Sequence, residues 1–281
     1  MRQQTLAMAA DQTFKQYRKP TRRDAFLKTM DAIVPWVALC AVIEPHYPKA
    51  GNGRPPIGLE RMLRIHFIQH GFNLADLSCE EALFAQVGAD LQSKGFKVNT
   101  GTIVDGALIG APSSTKNANK ARDPEMHQTR KGQQWYFGMK LHIGVDSQTG
   151  LAHSAVGTPA NVHDKHPLPD LLHGREQRVY GDSAYASQKQ LIASKAPKAK
   201  DFTNQRTRRN GVVNEVLKAR NRNKSKIRAR VEHVFGVVKR LWGFGKVRYR
   251  GLAKNATRAF TALALANIYL SRQRLMAQVR P

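Results

Sequence analysis

The sequence predicts an α/β chain, a mixed sheet flanked by helices and preceded by a small helical N-terminal domain. Three observations carry that expectation. Apolar residues recur at helical spacing in the first hundred residues; β-prone runs with a period of two begin near Thr102; and short apolar runs alternate with helical segments from about Asp164 onward. The expected boundaries are residues 1–97 for the helical region, read as DNA-binding, and 98–281 for the sheet domain, with a basic insertion near 195–223.

Residues 1 to about 20 are polar and basic, which predicts a poorly ordered tail. One helix is expected over 24–45, with Phe26, Leu27, Met30, Ile33, Val34 and Val37 at helical spacing. YPKAGNGRPP then reads as a loop, and a second helix runs from Leu59 to His70. Ser78 and Glu81 form a capping-box pattern for a third helix. The last two helices, joined by GFNLADLS, read either as a helix-turn-helix or as any small bundle.

Thr102, Ile103, Val104, Leu108 and Ile109 form a β-prone run, interrupted by Asp105 and Gly106. A basic loop is expected over Ala111–Lys131. In YFGMKLHIGVD, Phe137, Met139, Leu141, Ile143 and Val145 alternate with Tyr136, Gly138, Lys140, His142 and Gly144, which makes a strand. DSQTG is a turn, and LAHSAVGTP is a returning strand, so residues 98–158 read as a three-stranded antiparallel meander. A helix over 164–172 leads to a strand at 178–182 ending in a carboxylate, then to a helix from Ser187. That order describes a ribonuclease-H-like domain. Residues 195–223 read as an exposed basic loop, followed by a helix from Lys224 to Trp242 and a last helix over 255–276 whose apolar face is Phe260, Leu263, Ala264 and Leu270.

Charge narrows the function. Lys plus Arg total 46 against 20 Asp plus Glu, a formal net charge of +26. Such a field attracts polyanions, and phosphate neutralisation with counterion release is its usual use. A ribosomal or membrane-surface protein is the competing reading. Residues 195–250 carry 18 Lys or Arg against three acidic residues, Asp201, Glu215 and Glu232. Cys40 and Cys79 fit no zinc spacing and are expected as buried free thiols of a reducing cytoplasm. No run of 18 apolar residues exists, and MRQQTLAMAADQ lacks a signal-peptide core. A cytoplasmic, nucleoid-associated protein with no membrane partner is expected.

Three carboxylates stand out in this basic chain. Asp105 interrupts an apolar strand, where a buried carboxylate must be paired or metal-bound; the plain alternative is a side chain facing solvent. Asp182 ends a strand where the chain turns, a place where ligands collect in open sheets; a helix N-cap is the alternative. Glu232 lies beside a helical stripe of Ile227, Val231, Val234, Val238 and Leu241, on a face shared with Arg228, Phe235 and Lys239. An i, i+4 ion pair with Arg228 is its alternative. Asp146 and Asp164 read as turn or cap residues. Ser183 and Tyr185 lack the Arg/His constellation a tyrosine recombinase needs. Two Asp and one Glu suffice chemically for two Mg²⁺ or Mn²⁺ ions, which activate an attacking oxygen and stabilise the leaving 3′ oxygen.

The stretches GTIVDGALIGAPSSTKN, RDPEMHQTRKGQQWYFGMKLHIGVD, VYGDSAYAS and KIRARVEHVFGVVKRLWGF resemble the DDE transposases of bacterial insertion sequences, within the insertion-sequence-five group. The similarity extends over most of the chain, including YPKAGNGRPPIGLERMLRIHFIQH. The resemblance implies a ribonuclease-H-like catalytic domain whose metal-binding triad is Asp105, Asp182 and Glu232, with Mg²⁺ or Mn²⁺ as cofactor. Around the Glu, the family has Tyr, two residues, Arg, three residues, Glu, six residues, Lys. Arg228, Glu232 and Lys239 match, but Ser225 holds the Tyr position. Arg228 and Lys239 are therefore expected on the DNA backbone, and Lys226 and Arg230 of the same helix complete the expected DNA-binding set. Between Glu81 and Gly101 the chain is shorter than the family pattern, and EALFAQVGADLQSKGFKVNTG reads like a junction. The expected function is to bind terminal inverted repeats of a mobile element, cut them and join 3′ ends to target DNA, as a homodimer or larger assembly on double-stranded DNA. An inactive, internally shortened DNA-binding remnant and a plain nuclease are the rivals.

Overall fold

The computed structural model describes residues 21–47, 57–72, 80–96, 100–186, 188–209 and 212–279. The expected N-terminal tail, residues 48–56 of the YPKAGNGRPP loop, the 73–78 part of GFNLADLS with its Ser78 cap, Cys79 and Ser187 lie outside the described residues. The chain divides into two compact units, one of residues up to Val34 together with Ser271 onward, the other Pro35–Leu270.

In the first unit, helix α1 (Arg22–Ile33) opens with a capping box. The Thr21 side chain accepts from the Asp24 amide, and the Asp24 carboxylate accepts from the Thr21 amide at 2.9 Å. The single helix expected over 24–45 is corrected to two. Pro35 disfavours helical backbone at Val34, which is extended, so the chain restarts as α2 (Trp36–Ile43).

The second unit begins with α2, α3 (Leu59–Phe72) and α4 (Glu80–Ser93). The Trp36 ring packs on Phe67 at 5.4 Å, and the Arg64 guanidinium lies over it at 4.3 Å. Cys40 on α2 is only half-buried, against the buried thiol expected. Helix α4 buries Leu83, Phe84, Val87 and Leu91, the i, i+4, i+8 stripe of a packed helix. Its end is a Schellman turn: Gly95 at φ 71° lets its own amide reach Gln92 O and the Phe96 amide reach Leu91 O. The segment the sequence reads as a junction is thus largely a capped, packed helix.

The sheet is built from β1 (Gly101–Gly110), β2 (His127–Lys131), β3 (Gln134–Asp146), β4 (Ala152–Pro159), β5 (Arg178–Tyr180) and β6 (Lys200–Asp201). β1, β3 and β4 are antiparallel neighbours, and β5 and β6 add in parallel beside β1. The order β4-β3-β1-β5-β6 is the mixed, ribonuclease-H-like arrangement that the element sequence predicts. One strand was not expected. β2, inside the predicted basic loop, pairs with the first part of β3 around Gly132 (φ 64°). HQTRK is polar throughout and exposes most of its side chains, so it lacks the alternation that marks a strand.

The helix expected over 164–172 shrinks to α5 (Leu168–Leu171), with Pro167 at its N-cap and Pro169 in its first turn. Leu168 and Leu171 nevertheless form a core with Val104, Val179, Tyr185 and Ile192, the last on α6 (Lys189–Lys195). The basic loop expected at 195–223 is corrected as well. It holds β6, a hairpin of β7 (Arg208–Arg209) and β8 (Val212–Val213), and the start of α7 (Glu215–Arg228), which the Asn214 side chain caps at 2.9 Å. The helix predicted as continuous from Lys224 to Trp242 is three pieces: α7, α8 (Arg230–Phe235) and a π-helical turn, Gly236–Leu241. The wide turn shifts the helical phase. Val231, Val234 and Val238 are fully buried as expected, but Leu241 is 52% exposed and Trp242 takes its place in the core. Helix α9 (Leu252–Val279) is buried on nearly all sides from Ala259 to Ile268, beyond the single face expected. Asn267 ties it to β4, accepting from the Ala152 amide at 2.8 Å and donating to its carbonyl at 2.7 Å. Phe260 stacks at 5.9 Å on Phe84 of α4.

Gly144 sits where β3 packs closely on the α5 segment. A Cβ there would stand 2.7 Å from the Leu171 carbonyl oxygen and press on Ser154, whose hydroxyl donates to that same carbonyl. Gly144→Ala is expected to lower stability by about 1–3 kcal/mol, through overpacking. A urea midpoint unchanged from wild type would contradict this packing.

Candidate active site

The first two carboxylates are aligned by strand register. β1 and β5 run parallel, with Ile103 opposite Tyr180, and Asp105 and Asp182 each lie two residues further along. Asp182 sits just past β5, where its Oδ1 accepts from the Ala184 amide at 2.8 Å and caps a short 3₁₀ turn, Ser183–Tyr185. The capping alternative is therefore real, and it uses one of the two carboxylate oxygens.

Asp105 is largely buried, and both of its oxygens have donors. Oδ1 accepts from the Gly106 amide at 2.9 Å, and Oδ2 accepts from Arg228 Nη1 at 3.0 Å. Burial raises its pKa to about 6, the nearby charges of Asp182 and Glu232 adding to the rise, while Arg228 and the Gly106 amide oppose it. Asp105, Asp182 and Glu232 thus share one electrostatic site with one guanidinium inside it.

Arg228 ends α7, and Glu232 lies in the first turn of α8, beyond the break at Ala229. Helix α8 packs on β1, and Glu232 itself is exposed. Lys239, in the π turn, donates to the Leu108 carbonyl of β1 at 2.9 Å. Burial lowers its pKa, helped by Lys131 and opposed by Glu232. Arg230 is drawn away from this cluster, because its guanidinium donates to the Ser147 carbonyl in the β3–β4 turn. Lys226 is exposed on α7.

Sequence reasoning missed a polar cluster on the neighbouring face. Lys140 donates to Asp164 Oδ1 at 2.8 Å, and the fully buried His142 places Nδ1 3.9 Å from the same oxygen. Asp164 is hence a paired charge, against the turn or cap role expected, whereas Asp146 does cap a turn through Gln148 and Thr149. Gly106 faces His142 across the strands, and a Cβ there would lie 2.9 Å from Nδ1. The signal was present in the strand pattern, where Lys140 and His142 share a face with Gly144. Tyr185 is fully buried, and its hydroxyl has no hydrogen-bond partner. Burial first, then the charges of Asp164, Asp105 and Asp182, push its phenol far above the usual range. That excludes it as an exposed nucleophile.

The donor set suits a hard divalent ion in kind: all three side chains offer carboxylate oxygens, and the charges of Asp182 and Glu232 both act on Asp105. Among the described residues, no three His, Cys, Asp or Glu side chains stand close enough to hold one ion. Arg228 occupies Asp105 Oδ2 instead, so the fit is one of chemistry and topology, with the guanidinium as the local cation.

The mixed sheet thus carries two strand-aligned Asp residues, with a Glu on the helix that packs against β1. Residues 97–268 match the transposase DDE domain family, and residues 15–87 match a second transposase domain family, DUF772. The chain belongs to the DDE transposases. One similar solved structure is described as a piggyBac transposase synaptic complex with hairpin DNA; it is 10% identical with a TM-score of 0.49, over 89% of this chain and 73% of that one. Among the described residues, no single helix is long and apolar enough to cross a membrane.

His142 yields a pH test. Burial lowers its pKa to about 4, with Asp164 opposing and Lys140 assisting. The unfolded chain binds this proton near pH 6.5 and the folded chain only near 4, so the contribution is complete above 6.5 and is lost as pH falls through that window. The loss is on the order of 3 kcal/mol. His142→Gln keeps a polar group for Thr158 and should flatten the decline in urea midpoint between pH 6.5 and 4. An equally steep decline in the variant would refute the assignment.

Proposed function

We propose that this transposase binds the terminal inverted repeats of its mobile element, cleaves the DNA with Mg²⁺ or Mn²⁺, and transfers the freed 3′ ends to target DNA. The observation that carries this reading is the register of Asp105 and Asp182 on adjacent parallel strands, within electrostatic reach of Glu232. Asp105, Asp182 and Glu232 would hold the metal, two ions being the number such chemistry uses. A bound divalent ion lowers the pKa of the attacking oxygen and offsets charge on the departing one.

The residues divide the remaining work. In the first step a water oxygen bonds to phosphorus and the P–O3′ bond breaks, leaving a 3′ hydroxyl. In the second, that hydroxyl attacks a phosphorus of target DNA and displaces another 3′ oxygen. Arg228 leaves Asp105 for the phosphate when DNA and metal arrive, conserving a positive charge in the site. Lys239, placed by the Leu108 carbonyl, and the exposed Lys226 contact the backbone; Arg230 does so from its position on the β3–β4 turn. Two copies handling two ends, in the nucleoid, complete the proposal.

Purified protein is incubated with labelled DNA from both flanks of its gene, in Mg²⁺ or Mn²⁺, beside Asp105→Asn and Asp182→Asn. Defined nicking by the wild type and at least about 10³-fold less by either variant is the expected outcome. Joined products distinguish a transposase from a nuclease. Salt-sensitive binding with no cleavage by any of the three proteins makes the chain a shortened, DNA-binding remnant.

Lys239→Ala is expected to weaken duplex binding to all sequences alike and to reduce the slope of log K against log salt by about 1. A slope equal to wild type removes Lys239 from the phosphate contacts.

A further inference from the structure

The β2–β3 hairpin carries side chains that neither the core nor the carboxylate site uses. Trp135 is 61% exposed, an unusual position for the largest apolar side chain. The other two tryptophans, Trp36 and Trp242, are partly and largely buried. Arg130 lies directly opposite Trp135 across the hairpin, and Gln128 opposite Phe137. Directly opposed residues share a sheet face. The Arg122 guanidinium, from the preceding loop, stacks over Phe137 at 5.4 Å. Cation and ring therefore interleave along one side of the hairpin: Arg122 on Phe137, then Arg130 beside Trp135.

Two further facts orient this stripe. Asp105 is opposite Ile143 on β3, and Trp135 is eight residues earlier on the same strand. An even separation keeps both on one face, at most about 26 Å apart at roughly 3.3 Å per residue. Lys131, at the hairpin tip, also acts electrostatically on Lys239. The arm thus extends from the sheet on the face that holds Asp105, and its cations match a phosphate backbone.

We infer that the β2–β3 hairpin is a DNA-gripping arm in which Trp135 stacks on an unstacked base of the bound DNA end while Arg122 and Arg130 hold the adjacent backbone. Exposed aromatic rings beside Arg are the chemistry that recognises a base face and its phosphates, and apolar side chains inserted between base steps unstack them. The reach of the strand sets the contact within about eight base pairs of the cleaved phosphate, at about 3.4 Å per step. This inference rests on the proposed action at DNA ends, but it concerns binding, so metal is not needed to test it.

The full chain is titrated in EDTA with duplex DNA from the flank of its gene, following tryptophan emission and, separately, the anisotropy of a dye on the DNA. Emission of the wild type should be quenched on binding, and Trp135→Phe should lose most of that change. Trp135→Ala should raise Kd about tenfold with its thermal midpoint unchanged, as befits an exposed side chain. Trimming the duplex to fewer than about eight base pairs beyond the cleavage point on the contacted side should abolish the quench. Binding with no quench, or Trp135→Ala binding as tightly as wild type, overturns the arm. So does emission that changes with protein concentration in the absence of DNA, which would place a second copy of the chain on Trp135. Quenching by DNA with no cleavage in Mg²⁺ leaves the arm standing and removes the catalytic reading instead.

Discussion

A negative charge inside a sheet is expensive, and the arrangement around β1 answers that cost. A carboxylate taken out of water without a partner is destabilising by several kcal/mol. Asp105 is given an amide on one oxygen and a guanidinium at 3.0 Å on the other. The guanidinium comes from the last residue of α7, an end where a helix favours positive charge. Ala229, itself in helical backbone, then separates α7 from α8. Replacing Asp105 and Arg228 by apolar residues would be expected to cost a fold little. The part-buried Arg228–Asp105 pair therefore adds little net stability to the fold.

The sheet face opposite Asp105 changes character along its length. Leu168, Leu171, Val179, Tyr185 and Ile192 close on Val104 to make a dry layer. Further along the same strands, Gly106 clears room for His142, and Lys140 and Asp164 neutralise each other beside it. Ionic groups are thus present on both sides of β1, and Asp105, Asp182 and Asp164 each have a cationic or amide partner. The buried Tyr185 hydroxyl has no hydrogen-bond partner, and its burial next to three acidic residues keeps the phenol protonated.

Sequence made the sheet legible where burial is one-sided or complete. The alternation around Met139, Leu141, Ile143 and Val145 located β3, and Asp105 and Asp182 stood out because carboxylates are scarce in so basic a chain. It failed where local pattern was overridden. Pro35 divided a convincing helix, and β2 stayed hidden because a polar hairpin has no apolar period. The α7 start at Glu215 was masked by a run of charges that reads as a loop. The hydrogen bond from Arg230 to the Ser147 carbonyl had no local signal either. The Arg228–Asp105 pair was not readable at all, since a separation of 123 residues carries no local signal.

The π turn at Gly236–Leu241 has one more consequence. A regular helix is a rigid gear: fixing the angle of one residue fixes that of every other. One wide turn inserts a tooth and uncouples the two ends. Upstream, Val231 and Val234 seat the helix so that Glu232 stands at its edge; downstream, Trp242 and Phe244 anchor in the core on a different phase. The aim of the acidic side chain and the fit of the anchor are therefore separately adjustable.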